Sequence, residues 1–213
     1  TNVHAIIVSG KGGERTIFSY HEKRNYKVYD WLKPKWLFYS SLAKGFGGFQ
    51  AKLVDYIKQN PDIAVAFNPG TQQMREGIYA LRGFLEVTDV LFVNKEEAQR
   101  LTDTKEDSLE RLHQMLQELG PKLSVITLGE KGSTAHDGKK MITHGVYEMN
   151  EKIMDKTGDG DVYISGFLAA LFYGKDLETA MKWGSINSSH VIREIGAING
   201  LLTKNEIQSK LNK

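Results

Sequence analysis

PDIAVAFNPGTQQMREGIYALRGFLEVTDVLFVNKEEAQRL, residues 61–101, is the stretch whose reading decides the fold. Ile63–Phe67 is a short apolar run closed by Asn68-Pro69-Gly70, and Met74–Leu85 carries apolar residues at helical spacing. Val90–Val93 is a second short apolar run, and a helical pattern over Lys95–Leu101 follows it. Strands that alternate with helices of this length imply a parallel sheet flanked by helices.

The alternation continues in both directions. Upstream, Trp36–Tyr39 reads as a buried strand. Gly45-Phe46-Gly47-Gly48 then reads as a strand-to-helix turn that leads Phe49, Leu53, Val54 and Ile57 onto one helical face. Further upstream, Val3–Ser9 and Thr16–Tyr20 flank Lys11-Gly12-Gly13 and read as a hairpin, and Trp31 and Trp36, on either side of Pro34, read as core or lid packing. Downstream come a helix over Ser108–Leu119, a strand over Leu123–Leu128, and short β-like runs over Ser133–His136 and Met141–Tyr147. Three helices close the chain, Gly160–Tyr173, Leu177–Ile192 and Lys204–Leu211. Periodicity places Leu53, Ile57, Leu168, Leu171 and Phe172 in the core. With no repeat, low-complexity tract or linker, residues 1–213 are expected to form a single α/β domain. Ligands of such sheets bind beyond the carboxyl ends of the strands, which directs attention to Asn68, to Asn94 with Glu97, and to Thr127 with Gly129.

Composition removes several classes of function. The 213 residues hold 28 basic and 26 acidic side chains, a net charge of +2, too balanced to imply a nucleic-acid or membrane partner by bulk electrostatics. There is no cysteine, so disulfides, thiolate zinc sites and cysteine nucleophiles are excluded. No apolar run approaches the ~18–20 residues of a membrane span. A cytoplasmic setting is the simplest expectation. The chain begins at Thr1, close to a strand-like run, so it is expected to be part of a longer polypeptide. No G-x-x-x-x-G-K-[ST] loop is present, no G-x-G-x-x-G follows a strand, and the six histidines lack metal-site spacing and read as surface or packed residues.

Chemistry concentrates in Asp155-Lys156-Thr157-Gly158-Asp159-Gly160-Asp161, directly before the apolar helix. Glycine and aspartate before a helix make a turn with a cap. They also leave unpaired N–H groups at a positive dipole end, which is a natural anion site. A carboxylate in that first turn, Asp161, could accept a proton from an attacking hydroxyl. Asn94 and Glu97 stand three residues apart. That spacing fits a capping box and equally fits two groups serving one ion, and the two roles are compatible.

Asp155-x-Thr157-Gly158-x-Gly160-Asp161, running on to Ser165-Gly166-Phe167, resembles the C-terminal signature of the ribokinase-like (PfkB) carbohydrate kinases. Asn94-Lys95-Glu96-Glu97 is similar to that family's N-x-x-E element. Val125–Gly132 is similar to its nucleotide-binding turn, and Asn187 with Gly196-Ala197 to its adenine-pocket region. These elements occur in family order over nearly the whole chain. The resemblance implies a ribokinase-like three-layer sandwich with a mainly parallel central sheet and a partial β lid, to which residues 1–30 would be related. It implies an ATP-dependent kinase acting on a hydroxyl of a sugar or nucleoside. Asp161 would be the general base, and the amides of Gly158, Asp159 and Gly160 the anion hole. Asn94 and Glu97 would hold Mg²⁺ and phosphate through waters, Thr127, Gly129 and Gly132 would line the ATP site, and Asn187 would stand near the adenine. Asp155 and Thr157 would flank a K⁺ ion, and lid strands would make a homodimer.

Asp159 departs from the pattern, which has alanine at that position. A carboxylate ~4 Å from a phosphoryl charge would repel it by about 4 kcal/mol at an effective dielectric near 20, unless it turns toward solvent or a cation. This departure and the absence of the family's N-terminal section support the alternative, a nucleotide-binding but catalytically silent regulatory or assembly protein.

Overall fold

Strands β1 (Val3–Val8) and β2 (Arg15–Tyr20) pair antiparallel as a two-stranded sheet, with Val3 opposite Tyr20 and Val8 opposite Arg15. The computed structural model describes residues 3–8, 15–20, 25–28, 33–147 and 152–211. The expected hairpin strands are therefore present, while the Gly12-Gly13 turn and Trp31 lie outside the described residues. No helix among the described residues is long and apolar enough to cross a membrane.

The remaining strands form one open sheet in the order the chain makes them: β3 (Trp36–Tyr39), β4 (Ala64–Phe67), β5 (Val90–Asn94), β6 (Leu123–Thr127), β7 (Ser133–His136) and β8 (Met141–His144). The pairs β3/β4, β4/β5 and β5/β6 are parallel, and the last of these sets Asn94 beside Thr127 at the carboxyl end. The chain folds as two compact units of interleaved segments, His21–Leu128 with Thr134–Ile142, and Thr1–Tyr20 with Gly129–Ser133 and Thr143–Lys213.

In the first unit the helices are α1 (Gly47–Gln59), α2 (Thr71–Glu76), α3 (Ile78–Leu85), α4 (Lys95–Leu101) and α5 (Leu109–Glu118). Val65, Phe67 and Leu91 are wholly buried, as central strands of a parallel sheet require. Leu53 of α1, Leu81 and Phe84 of α3, Leu101 of α4 and Leu112 and Leu116 of α5 complete this core. The single helix expected over Met74–Leu85 is two helices. Gly77 separates them in a left-handed conformation, φ +81°, that interrupts helical bonding. His113 of α5 is fully buried between Ser124 Oγ, 2.7 Å from Nδ1, and Thr134 Oγ1, 2.9 Å from Nε2. Burial, together with the neighbouring His136, pushes its pKa down to about 4.

In the second unit α6 (Asp159–Phe172) and α7 (Leu177–Val191) pack side by side, and α8 (Lys204–Leu211) lies against α7. Two glycines permit the close approach. A Cβ on Gly166 would stand 2.8 Å from the Trp183 carbonyl, and one on Gly184 would stand 2.9 Å from the Tyr163 carbonyl. Tyr163 donates or accepts a 2.7 Å bond with Ser133, and burial pushes its hydroxyl up to about 12. Phe172 corrects the periodicity reading, being 55 % exposed, and Leu168 and Leu171 are only half-buried. Helix α6 is apolar on nearly every side, so its sequence does not single out one buried face. The packed face carries Val162, Tyr163, Ile164, Gly166, Phe167 and Ala170.

Candidate active site

The loop before α6 is held by one buried carboxylate. Asp155 Oδ1 accepts from the Thr157 amide at 2.8 Å and the Thr157 hydroxyl at 2.6 Å, and Oδ2 accepts from the Gly196 amide at 3.0 Å. The amides of Met154 and Asp155 both donate to the Ile192 carbonyl, at 2.8 and 3.1 Å. The loop is thus tied at two points to the segment that follows α7. Gly158 then turns the chain into the helix at φ +80°, where a Cβ would stand 2.6 Å from that of Ala197. Only glycine satisfies both the angle and the space.

The first turn of α6 is closed by Val162 N to Gly158 O at 2.8 Å, and no side chain among the described residues caps it. The Asp159 amide makes a long bond, 3.4 Å, to the Lys156 carbonyl. The amides of Gly160 and Asp161 meet no acceptor among the described residues, and both residues are exposed. The side chain of Asp161 likewise has no partner among the described residues. Open N–H groups at the positive end of a fourteen-residue helix, with a carboxylate in the same turn, can bind an anion and accept a proton beside it.

Asp159 does not point its charge into that turn unopposed. Its Oδ1 accepts a hydrogen bond from Ser188 Oγ of α7. Asn187, the neighbouring residue, is 3 % exposed and fully engaged inside the unit. Its Nδ2 donates to the Val162 carbonyl at 3.1 Å and to Ser165 Oγ at 3.4 Å, and its Oδ1 accepts from the Leu202 amide at 3.1 Å. Asn187 therefore clasps α6 to α7. Lys156 Nζ stands 3.4 Å from Glu130 Oε1. Sequence reasoning did not single out Ser188. The signal for it was the polar run Asn187-Ser188-Ser189-His190 in the second half of α7.

The other expected site residues divide by unit. Asn94, Glu97 and Thr127 lie together at the carboxyl ends of β5 and β6 in the sheet-bearing unit. Asn94 Oδ1 accepts from the Glu97 amide at 2.8 Å and Glu97 Oε2 accepts from the Asn94 amide at 2.9 Å, a complete capping box. Partial burial raises the pKa of Glu97 above the ordinary carboxylate range, against the lowering effect of its bond to Asn94. Asn68 Nδ2 donates to the Phe92 carbonyl at 2.9 Å, a structural bond between β4 and β5. Gly129 and Gly132, at φ +59° and +85° around a short 3₁₀ turn, belong to the unit that holds α6. Gly45, Phe46 and Gly47 line an open depression of 470 Å³ with Gln50, Asp55 and Glu76 in the sheet-bearing unit.

Comparison with known proteins shows what the chain as a whole is similar to. The chain matches the family model described as pfkB family carbohydrate kinase over residues 1–204. It is 32 % identical over 152 residues to the cytidine kinase of Thermococcus kodakarensis, covering 69 % of this chain and 52 % of that protein. Among solved structures it is similar to the ribokinase of Thermotoga maritima, with a TM-score of 0.80 at 21 % identity, over 100 % of this chain and 70 % of that one. A protein of E. coli, provisionally named ribokinase II and solved with ATP and Mg²⁺, gives a TM-score of 0.69 at 20 % identity, over 84 % and 58 % of the two chains. The chain spans about half the length of the curated relatives it matches.

Proposed function

Since this chain belongs to the pfkB family of carbohydrate kinases, we propose that it transfers the γ-phosphate of ATP to a hydroxyl of a sugar or nucleoside. The observation that carries the reading is the uncapped start of α6, where the Gly160 and Asp161 amides stand open in the same turn as the Asp161 carboxylate. The names of relatives support the two acceptor classes, a cytidine kinase for nucleosides and a ribokinase for sugars.

In this mechanism Asp161 takes the proton of the acceptor hydroxyl as its oxygen bonds to the γ-phosphorus. The bond from that phosphorus to the β–γ bridging oxygen breaks, and ADP leaves with those electrons. Negative charge on the phosphoryl oxygens during transfer meets the Gly160 and Asp161 amides and the helix dipole, as oxyanion-type stabilisation requires. Asp159 adds its amide to the extent that the long bond to Lys156 yields, and Gly158 supplies the turn that aims the others. Thr127, Gly129 and Gly132 would each contact the nucleotide, as the family resemblance implies. Asn187, which ties α7 to α6 and to Leu202, would stand near the adenine, as the family resemblance implies.

Mg²⁺, carried by a neighbour solved with ATP, would neutralise charge on the β- and γ-phosphates. Asn94 and Glu97 would hold it through waters. Glu97 fits that role because the capping box engages its Oε2 and not its Oε1, and a cation opposes the burial that raises this carboxyl. Asp155 and Thr157 would flank a potassium ion, as the family resemblance implies. The silent-protein alternative loses its main support, since the Asp159 carboxylate is bonded to Ser188.

The test is to incubate the protein with ATP, Mg²⁺ and a panel of ribose, fructose, cytidine and adenosine, and to look for phosphorylated product. One acceptor is expected to turn over, and Asp161→Asn to lower kcat by about 10²–10⁴-fold with nucleotide affinity unchanged. Absence of product across the panel, or wild-type turnover by the Asn variant, would contradict the reading.

A further inference from the structure

We propose that Ser188 is a positioning residue for phosphoryl transfer. By donating to Asp159, it holds that carboxylate against α7 and away from the amides that receive the terminal phosphate. The inference rests on the reading of the α6 turn as the phosphate site. It concerns how this chain keeps that site open despite an acidic side chain within it.

Asp159 is the first residue of α6, one position from the open Gly160 amide. A carboxylate in a helix's first turn is attracted by the same amides and dipole end that attract a phosphate. Unrestrained, it would be a tethered anion competing with the ligand at high effective concentration, besides repelling it. One hydroxyl prevents this. Ser188 Oγ donates to Asp159 Oδ1 from across the helix pair.

Ser188 can hold the carboxylate because its own position is fixed. Asn187 beside it is bonded to Val162 O, Ser165 Oγ and Leu202 N. Gly166 and Gly184 bring α6 and α7 close together. Gly158, immediately before Asp159, is packed on Ala197. The donor is thus rigid and the acceptor's backbone is rigid. The torsions of the Asp159 side chain remain, and the bond to Ser188 sets them.

The test measures the affinities of ADP and of AMP-PNP, a non-hydrolysable ATP analogue, by calorimetry. The ratio of the two isolates the grip on the terminal phosphate. Ser188→Ala is expected to weaken AMP-PNP binding about tenfold while ADP changes less than about twofold, the loss of one charge-assisted bond being felt at the γ-position alone. Ser188→Thr, which keeps the hydroxyl, and the double variant S188A/D159A, which removes the competitor, are both expected to restore the wild-type ratio. Asp159→Ala alone should bind AMP-PNP at least as tightly as wild type.

A merely structural role for Ser188 would weaken both ligands together and would not be rescued by D159A. An unchanged ratio in Ser188→Ala, or a double variant no better than the single, overturns the latch. So does selective loss of AMP-PNP in Asp159→Ala, a variant that keeps Ser188 and answers the case in which Ser188→Ala fails to fold. Failure of all these proteins to bind either nucleotide would instead remove the reading of the site on which the latch rests.

Discussion

Glu97 has one role in the fold and one proposed role. Its Oε2 caps the Asn94 amide, and its charge is proposed to hold Mg²⁺ through water. The two roles separate in Glu97→Gln, since a glutamine oxygen completes a capping box as well as a carboxylate does. The variant should therefore keep its thermal midpoint while its Mg²⁺ half-saturation rises about tenfold, a loss of roughly 1.4 kcal/mol of cation binding. A metal titration of initial rates, paired with a melting curve, reads both. Unchanged Mg²⁺ dependence would leave Glu97 as a cap alone. At this scale the sequence was legible wherever local geometry depends on near neighbours, as for the Asn94–Glu97 capping box or the Gly158 turn into α6. It was not legible for Asp159. Whether that carboxylate spoils the turn depends on Ser188, 29 residues away, and no local spacing encodes that pairing.

At the scale of the element, short apolar runs and capping residues located Trp36–Tyr39, Lys95–Leu101, Ser133–His136 and Lys204–Leu211 at their observed bounds. Each of these is either terminated by turn residues or carries its own cap. The pattern over Met74–Leu85 reads as continuous because a lone Gly77 does not break the helical spacing of the apolar residues on either side of it. What divides α2 from α3 is a backbone angle, φ +81°. Helix α6 was located but its buried face was not. Its all-round apolar sequence lets tertiary packing choose the face, and packing on α7 leaves Phe172 in solvent. The tie from Asp155 to Gly196 was equally hidden. The family resemblance implies a cation beside Asp155, and in the fold its carboxylate staples the loop to the segment after α7.

Across the whole molecule, the sequence suggested the parallel α/β class, but not that the two compact units would each draw on separated segments of chain. Such an arrangement depends on contacts distant in sequence, which periodicity cannot report. One consequence of the core can be tested by pH. His113 has a folded pKa of about 4, below the 6.5 of an exposed histidine. Between those values the unfolded chain holds a proton that the folded chain does not, so stability is lost as pH falls from 6.5 toward 4. The full span is worth about 3 kcal/mol, at ~1.4 kcal/mol per pH unit. Urea midpoints at pH 7.5 and 4.5 should therefore differ more for the wild type than for His113→Gln, which lacks the titrating ring. Equal differences would show that His113 is not what sensitises the fold to acid.

The central claim is that the amides opening α6 grip the terminal phosphoryl group. The most direct measurement follows the backbone N–H resonances of Gly160 and Asp161 by NMR while ADP, and separately AMP-PNP, is added with Mg²⁺. Both resonances are expected to move strongly with AMP-PNP and little with ADP, as hydrogen bonds form to oxygens that only the former carries. If both nucleotides bind and these two amides stay in place, the account is contradicted.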